Sequence, residues 1–424
     1  MDKFIIEGGI PLNGEITPSG NKNAALPILA ACILTDQPIL LHNVPDILDV
    51  HAMRALLESL GVSFQTMDEH TWEVRASEIC PAELDPDLCR TIRASILLAG
   101  PMLARSGYII LPPPGGDVIG RRRVDTHILA LQKLGAEVEY NRTFTFRCEQ
   151  LRGADILLDE ASVTATENAI MASVLAKGRT ILRNAASEPH IQELCQFLNK
   201  LGARIENIGS NTLEIDGVDK LSGGEFTIGP DYLEVVSFIG AAAITKGNIK
   251  IKNAAPKYLS MVKLVFNRLG VDWQNEGEDI LVPSQQELCI EPDLDNAIPV
   301  ISVMPWPAFP TDLMSIAIVV ATQSKGTILF HDWMYPSRMF FTDKLVSMGA
   351  QIVLCDPHRC IVQGPSQLFA DDMAGPDIRA GMALLLAALS ANGTSTIRNV
   401  RQIDRGYEKI DAKLAALGAS IKRD

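Results

Sequence analysis

Leu201-Gly202-Ala203-Arg204-Ile205 ends an apolar helical pattern and begins a strand-like one. The same turn returns as Leu134-Gly135-Ala136-Glu137-Val138 and Leu417-Gly418-Ala419-Ser420-Ile421, and near variants follow Leu60, Leu269 and Met348. The six glycines, Gly61, Gly135, Gly202, Gly270, Gly349 and Gly418, stand 74, 67, 68, 79 and 69 residues apart. Each is expected to end a helix in a left-handed cap. The period exceeds the ~20–50 residues typical of solenoid repeats.

Working outward, each glycine closes one copy of a module. The module has an alanine-rich apolar helix, a glycine-containing turn, a short strand, a second helix and a second strand. The first helices are predicted over 24–34, 92–104, 166–176, 233–244, 311–321 and 378–389. The second helices are predicted over 50–60, 126–134, 191–201, 260–269, 340–348 and 406–417. Every first helix is apolar almost all round, as a helix at a domain centre must be. Six copies suit a two-domain inside-out α/β barrel, with three units per domain, helices within and sheets outside. One domain is expected to span 21–229 and to carry the loop 111–125. The other takes 1–20 and 230–424, because Leu221-Ser222-Gly223-Gly224 reads as a loop. The strand at 3–7 is expected to pair within that second domain. The active site is expected in the inter-domain cleft, where sites that close on a ligand commonly lie.

The chain has 424 residues, 47% hydrophobic and 21% charged, which is enough for two or three domains. Aromatics are only 5%, so the core must be aliphatic. The 51 acids outnumber the 38 bases for a net charge of −13, which argues against nucleic-acid or anionic-membrane partners. Eight cysteines are scattered without a C-x-x-C, so no disulfide framework is expected. Cys355, Asp356, His358 and Cys360 could ligate a metal, but Asp356-Pro357 is also a turn signal between two strand-like runs. No metal is expected. The opening residues read as a strand and not as a signal peptide, and no apolar run reaches the ~18 residues of a membrane span. A cytoplasmic location is expected.

The densest chemistry lies in the loop Leu111-Pro112-Pro113-Pro114-Gly115-Gly116-Asp117-Val118-Ile119-Gly120-Arg121-Arg122-Arg123-Val124-Asp125. Three prolines stiffen its start, and Gly115, Gly116 and Gly120 supply bends. A stiff arm, hinges, one carboxylate and three arginines read as a mobile lid over an anionic ligand. A solvated surface loop is the plainer alternative. Lys22 and Asn23 stand at the entrance to the first apolar helix, where free amides and the macrodipole attract anions. A capped helix with an exposed lysine would look the same. Arg93, Arg379 and Arg405 are also placed at helix starts, against the macrodipole. Either a bound anion compensates them, or they pair with neighbours such as Asp377 and Asp404. Asp312 follows Phe309-Pro310-Thr311 and suits a helix cap or a general base held at a fixed angle. No P-loop, G-x-G-x-x-G, H-E-x-x-H or G-x-S-x-G occurs.

Together these residues resemble the UDP-N-acetylglucosamine 1-carboxyvinyltransferase family, the enolpyruvyl transferases of peptidoglycan synthesis. The resemblance covers essentially the whole chain. It rests on Gly20-Asn21-Lys22-Asn23-Ala24-Ala25, Arg93-Ala94-Ser95, Gly115-Gly116 through Arg122 to Asp125, Phe309-Pro310-Thr311-Asp312 and Asp404-Arg405-Gly406-Tyr407-Glu408. It implies transfer of enolpyruvyl from phosphoenolpyruvate to the 3′-hydroxyl of UDP-N-acetylglucosamine, with no metal or organic cofactor. By that likeness Lys22, Arg122 and Arg405 hold phosphoenolpyruvate, and Arg338 and Arg379 assist. Asn23 and Arg93 contact the acceptor, and Asp312 accepts the proton of the attacking hydroxyl. Arg122, Arg123, Val124, Asp125 and Thr126, with Ser162 and Val163, hold the nucleotide, and Met334 joins the substrate-contacting set.

Three departures accompany the likeness. Asp117 stands where the family's lid usually carries a cysteine, and its catalytic role would be that of the lid residue. Glu160 replaces a common basic residue near the diphosphate. Pro336-Ser337 precedes Arg338 where an acidic residue is more usual. A paralogue acting on another nucleotide or nucleotide sugar, and a non-catalytic nucleotide-sugar-binding regulator, are the alternatives. Lys22, Asp312 and Arg405 together argue against the regulator. The sequence does not give the oligomeric state.

Overall fold

The computed structural model describes every residue except Met1, Pro81, Ala82, Val118 and Arg121. Its contacts divide the chain into two units. The first comprises Gly20–Asp117 and Arg122–Gly229. The second holds the described residues of Met1–Ser19, Val118–Arg121 and Pro230–Asp424.

Six sheets form among the described residues, three in each unit. Five have four strands and one shared topology. Ile39–His42 shows it: parallel to Gly224–Thr227, antiparallel to Thr71–Arg75, which in turn pairs antiparallel with Ser63–Asp68. The sixth sheet, Tyr108–Leu111, Thr143–Arg147 and Glu137–Asn141, has three antiparallel strands. Its parallel member is reduced to one bridge, Glu83 to Ile110. Five sheets thus repeat the pattern in full and the sixth keeps a remnant of it.

The central helices are buried on every side, as their composition requires. In the first unit Val163–Ser173 buries nine of its eleven residues. In the second, all fourteen residues of Tyr232–Thr245 are buried, and Met314–Gln323 and Ile378–Ser390 pack against it. The sheets lie outside these helices, each with one face on the core. The six closing glycines all adopt positive φ, from +82° at Gly270 to +105° at Gly349. That backbone region is nearly free for glycine and strained for other residues.

In the second unit the strand Lys3–Glu7 lies between Thr394–Arg398 and Ser420–Arg423, antiparallel to both. The helix predicted over 233–244 begins at Tyr232, with the Asp231 carboxylate accepting the amides of Leu233 and Glu234. Asp356-Pro357 lies in the turn between Gln351–Asp356 and Arg359–Gly364, where the Asp356 carboxylate accepts the His358 amide at 2.8 Å. No helix among the described residues is long and apolar enough to cross a membrane.

Five helix predictions need correction. The helix expected over 24–34 ends as the 3-10 turn Cys32–Leu34. The one expected over 340–348 begins as the 3-10 segment Arg338–Phe341 before Thr342–Ser347. The helix expected over 92–104 is a 3-10 segment, Arg93–Leu98, followed by Ala99–Ser106. Its ladder is interrupted because the Gly100 amide donates to the Asn168 side chain at 2.7 Å, and Pro101 has no amide proton to give. The helix expected over 311–321 likewise begins as a 3-10 turn, Thr311–Leu313, before Met314–Gln323. The helix expected over 406–417 begins only at Ile410, because Lys409 takes a left-handed φ of 45° and resets the chain direction.

Candidate active site

In the first unit, Arg93, Arg123, Asp125 and Thr126 gather around the C-terminal arm of the loop. Arg93 opens its 3-10 segment and donates from Nη2 to the carbonyls of Arg122 at 3.2 Å and Arg123 at 2.7 Å. Gly116, at φ +97°, permits the close approach, since a Cβ there would meet the Arg93 Cβ at 2.9 Å. Arg123 pairs with Asp159 at 2.8 Å and Asp125 at 3.2 Å, and reaches Glu160 at 4.0 Å. Thr126 donates to the other oxygen of Asp159 at 2.7 Å. One aspartate therefore fixes both ends of the segment 123–126. Ser162 caps Val163–Ser173 by backbone alone, with no side-chain capping bond. Asp117 is half-buried in this unit, and Val118 and Arg121 lie outside the described residues.

A second polar chain holds these elements in register. Asn168 accepts from the Gly100 amide and donates to the Ile96 carbonyl at 2.8 Å, so its amide orientation is fixed. Its NH2 also faces His127 Nδ1 at 2.8 Å. Nδ1 must therefore accept, which leaves the proton on Nε2 to donate to Thr164 Oγ1 at 3.0 Å. Burial, with the nearby Arg93 charge, pushes the imidazole down to about 3. His127 is a neutral donor.

Lys22 opens the helix Lys22–Ala31, whose N-cap Asn21 accepts the Asn23 amide at 2.9 Å. The lysine is not the exposed residue of a plain capped helix. Its Nζ lies 2.7 Å from Asp49, and both side chains are almost out of water.

In the second unit, Asp312 lies in the 3-10 turn and does not cap it, because Pro310 occupies the N-cap. Its carboxylate stands 3.0 Å from Arg338 Nη2 and 3.5 Å from Arg379 Nη2. Both arginines are buried, while the carboxylate remains part-exposed. Arg338 lies over the Tyr335 ring, and its Nε is buried without a hydrogen-bond partner among the described residues. Arg379 lies over the Tyr407 ring and donates to its hydroxyl at 3.3 Å. Burial works against the Arg379 charge, but Asp312 and Tyr407 outweigh it and hold the proton more tightly than usual. Asp377 serves the amides of Arg379 and Ala380 and not the guanidinium. Met334 sits in the turn ahead of Arg338, its amide bonded to Asp332 at 3.0 Å.

Arg405 requires a correction. It does not begin the last long helix but caps the C-terminal end of the short helix Arg401–Asp404. A cation is favoured there, so this residue needs no anion to offset a helix dipole. It donates to Gln402 at 3.0 Å, and Asp404 is occupied by Arg423 at 2.7 Å.

Asp49, His127, Asp159, Asn168 and Asp332 belong to none of the motifs quoted above, and Tyr407 stands only within Asp404-Arg405-Gly406-Tyr407-Glu408. A signal was present for two of them: His127 leads into the apolar run 128–131 and Asn168 into the apolar run 169–172.

Central helices sheathed by sheets are a known architecture. The enolpyruvyl transferase NikO from Streptomyces tendae is similar over 100% of this chain and 99% of its own, with a TM-score of 0.88 at 23% identity. An EPSP synthase from Acinetobacter baumannii is similar over the full length of both chains, with a TM-score of 0.76 at 17% identity. At such identities the likeness establishes the fold. Residues 6–414 match the family EPSP synthase (3-phosphoshikimate 1-carboxyvinyltransferase). The UDP-N-acetylglucosamine 1-carboxyvinyltransferase of Treponema denticola is 53% identical, covering 100% of this chain and 99% of the relative. That of Bradyrhizobium diazoefficiens is 55% identical over 99% and 98%, and that of Treponema pallidum 50% identical over 100% of both. The chain belongs to the enolpyruvyl transferase family, in the branch of the UDP-N-acetylglucosamine 1-carboxyvinyltransferases.

Proposed function

We propose that this protein transfers the enolpyruvyl group of phosphoenolpyruvate to the 3′-hydroxyl of UDP-N-acetylglucosamine and releases phosphate, the first committed step of peptidoglycan synthesis. The observation that carries this reading is full-length identity of 50–55% to relatives of that name. The arrangement of Asp312 between two buried arginines supports it. The acceptor hydroxyl adds to C2 of phosphoenolpyruvate as C3 gains a proton, giving a tetrahedral phosphoketal. Loss of a C3 proton and cleavage of the C2–O bond to phosphate then restore the double bond.

Asp312 takes the hydroxyl proton, and Asp117 supplies the acid that a lid cysteine would. Lys22, Arg122 and Arg405 bind phosphoenolpyruvate, with Arg338 and Arg379 spreading the developing charge. Asn23 and Arg93 contact the acceptor sugar. Arg123, Val124, Asp125 and Thr126, with Ser162, Val163 and Met334, complete its contacts. The reaction belongs in the cytoplasm, where nucleotide sugars are made, and needs no metal or organic cofactor. Phosphate release from phosphoenolpyruvate, measured against a panel of acceptors, tests the reading. Turnover should be fastest with UDP-N-acetylglucosamine. Faster turnover with another nucleotide sugar would reassign the acceptor, and none with any would refute the reaction.

A further inference from the structure

Asp332 follows the strand Gly326–His331 and has no exposed surface. Its Oδ2 accepts the Thr311 hydroxyl at 2.5 Å. Its Oδ1 accepts the amides of Met334 at 3.0 Å and Tyr335 at 3.3 Å. Its backbone is pinned as well: the amide donates to the His358 carbonyl at 2.8 Å, and its own carbonyl faces His358 Nδ1 at 2.7 Å. One carboxylate therefore joins two distant pieces of chain. The first is the 3-10 turn Thr311–Leu313, which carries Asp312. The second is the turn that leads into Arg338–Phe341 and so places Arg338.

The use of both oxygens is informative. A turn at 332–335 needs only Oδ1, as any Asx turn does. Oδ2 is committed to Thr311, whose hydroxyl caps no helix, since the N-cap of its own segment is Pro310 and makes no side-chain bond. Burying a carboxylate is costly, and burial does push the Asp332 carboxyl up, opposed by the Thr311 hydroxyl and the Arg338 charge. A link held at that cost lies one residue from Asp312 on one side and six from Arg338 on the other. We propose that Asp332 is a positioning residue, acting through Thr311 to set where Asp312 stands against Arg338. The proposal rests on the reading of Asp312 as the base.

The test compares Thr311→Val with Thr311→Ser in the phosphate-release assay. Valine keeps the shape and removes the hydroxyl; serine restores the hydroxyl alone. Misplacing a reacting group by about 1 Å costs up to ~100-fold, so Thr311→Val should lose roughly tenfold or more in kcat. The KM for UDP-N-acetylglucosamine should stay within about twofold, because no binding group is touched. Thr311→Ser should return to near the parental kcat. A parental kcat in Thr311→Val, or a serine variant as slow as the valine one, would overturn the proposal. Should the valine variant fail to fold, Thr311→Ala carries the test: it removes the hydroxyl without adding bulk, and a parental kcat there overturns the proposal equally. Asp312→Asn is assayed alongside. If it retains turnover, the base assignment fails with everything built on it. If it is inactive while Thr311→Val is at parental rate, only the positioning role fails.

Discussion

Lys22 Nζ stands 2.7 Å from Asp49 Oδ2, and the two side chains are 10% and 6% exposed. Neither charge has much water to fall back on. Removing one partner of such a pair typically costs ~3–5 kcal/mol, because the other is left buried and unpaired. Asp49→Ala should therefore destabilise the protein by about that amount. Urea unfolding monitored by circular dichroism measures it, and a loss within about 0.5 kcal/mol, the range of ordinary surface substitutions, would show that the pair is solvated in solution.

Asp312→Asn should abolish turnover while leaving acceptor binding largely intact. The amide keeps the shape between Arg338 and Arg379 but cannot take a proton. Calorimetry with UDP-N-acetylglucosamine and the phosphate-release assay check the two halves separately.

Arg122→Lys should be strongly impaired although the charge is kept. A lysine cannot reproduce the planar fork that grips a phosphate or carboxylate at two points. An unchanged apparent affinity for phosphoenolpyruvate would remove this arginine from the ligand set.

The buried imidazole of His127 makes a pH prediction. Its pKa is about 3 in the folded protein, against an ordinary value near ~6.5 when unfolded. Below ~6.5 the unfolded chain takes up a proton that the folded one refuses, so stability falls with pH until about 3. Between pH 7 and pH 5 this one group should contribute a loss of about 2 kcal/mol. His127→Gln should lack that increment, so the difference in stability between variant and parent should shrink by about that amount at pH 5. Denaturation curves at both pH values provide the comparison, and a pH-independent difference would contradict it.

On the reading proposed above, Asp117 occupies the place of a lid cysteine and offers a carboxylate where a soft thiol nucleophile would stand. The protein should resist alkylation by the epoxide fosfomycin, and Asp117→Cys should become sensitive. Mass spectrometry of both proteins after exposure reads the adduct directly, and an adduct on Asp117 itself would refute the idea.

The sequence carried the architecture because its strongest marks are local. A leucine-glycine-alanine turn reports its own left-handed cap, and all six such glycines adopt one. The errors occur where distant residues or unmarked backbone decide. Nothing near Gly100 announces that Asn168 will take its amide, and nothing marks Lys409 as left-handed. The same limit applies to the candidate site. Lys22, Arg93, Arg123 and Asp312 could be singled out by type and context. Their partners Asp49 and Asp159, and the carbonyls that receive Arg93, are brought close only by folding.

The strand Lys3–Glu7 is synthesised about 390 residues ahead of Thr394–Arg398, and further still ahead of Ser420–Arg423, the two strands it pairs with. At the ~5–20 residues per second of synthesis, it must wait roughly 20–80 s for its first partner. In the unit of Gly20–Asp117 and Arg122–Gly229, the described strands of all three sheets pair within residues 39–227 and wait for no later strand. Birth of this molecule is thus staggered. An alternating apolar strand stays without its sheet partners until they are made.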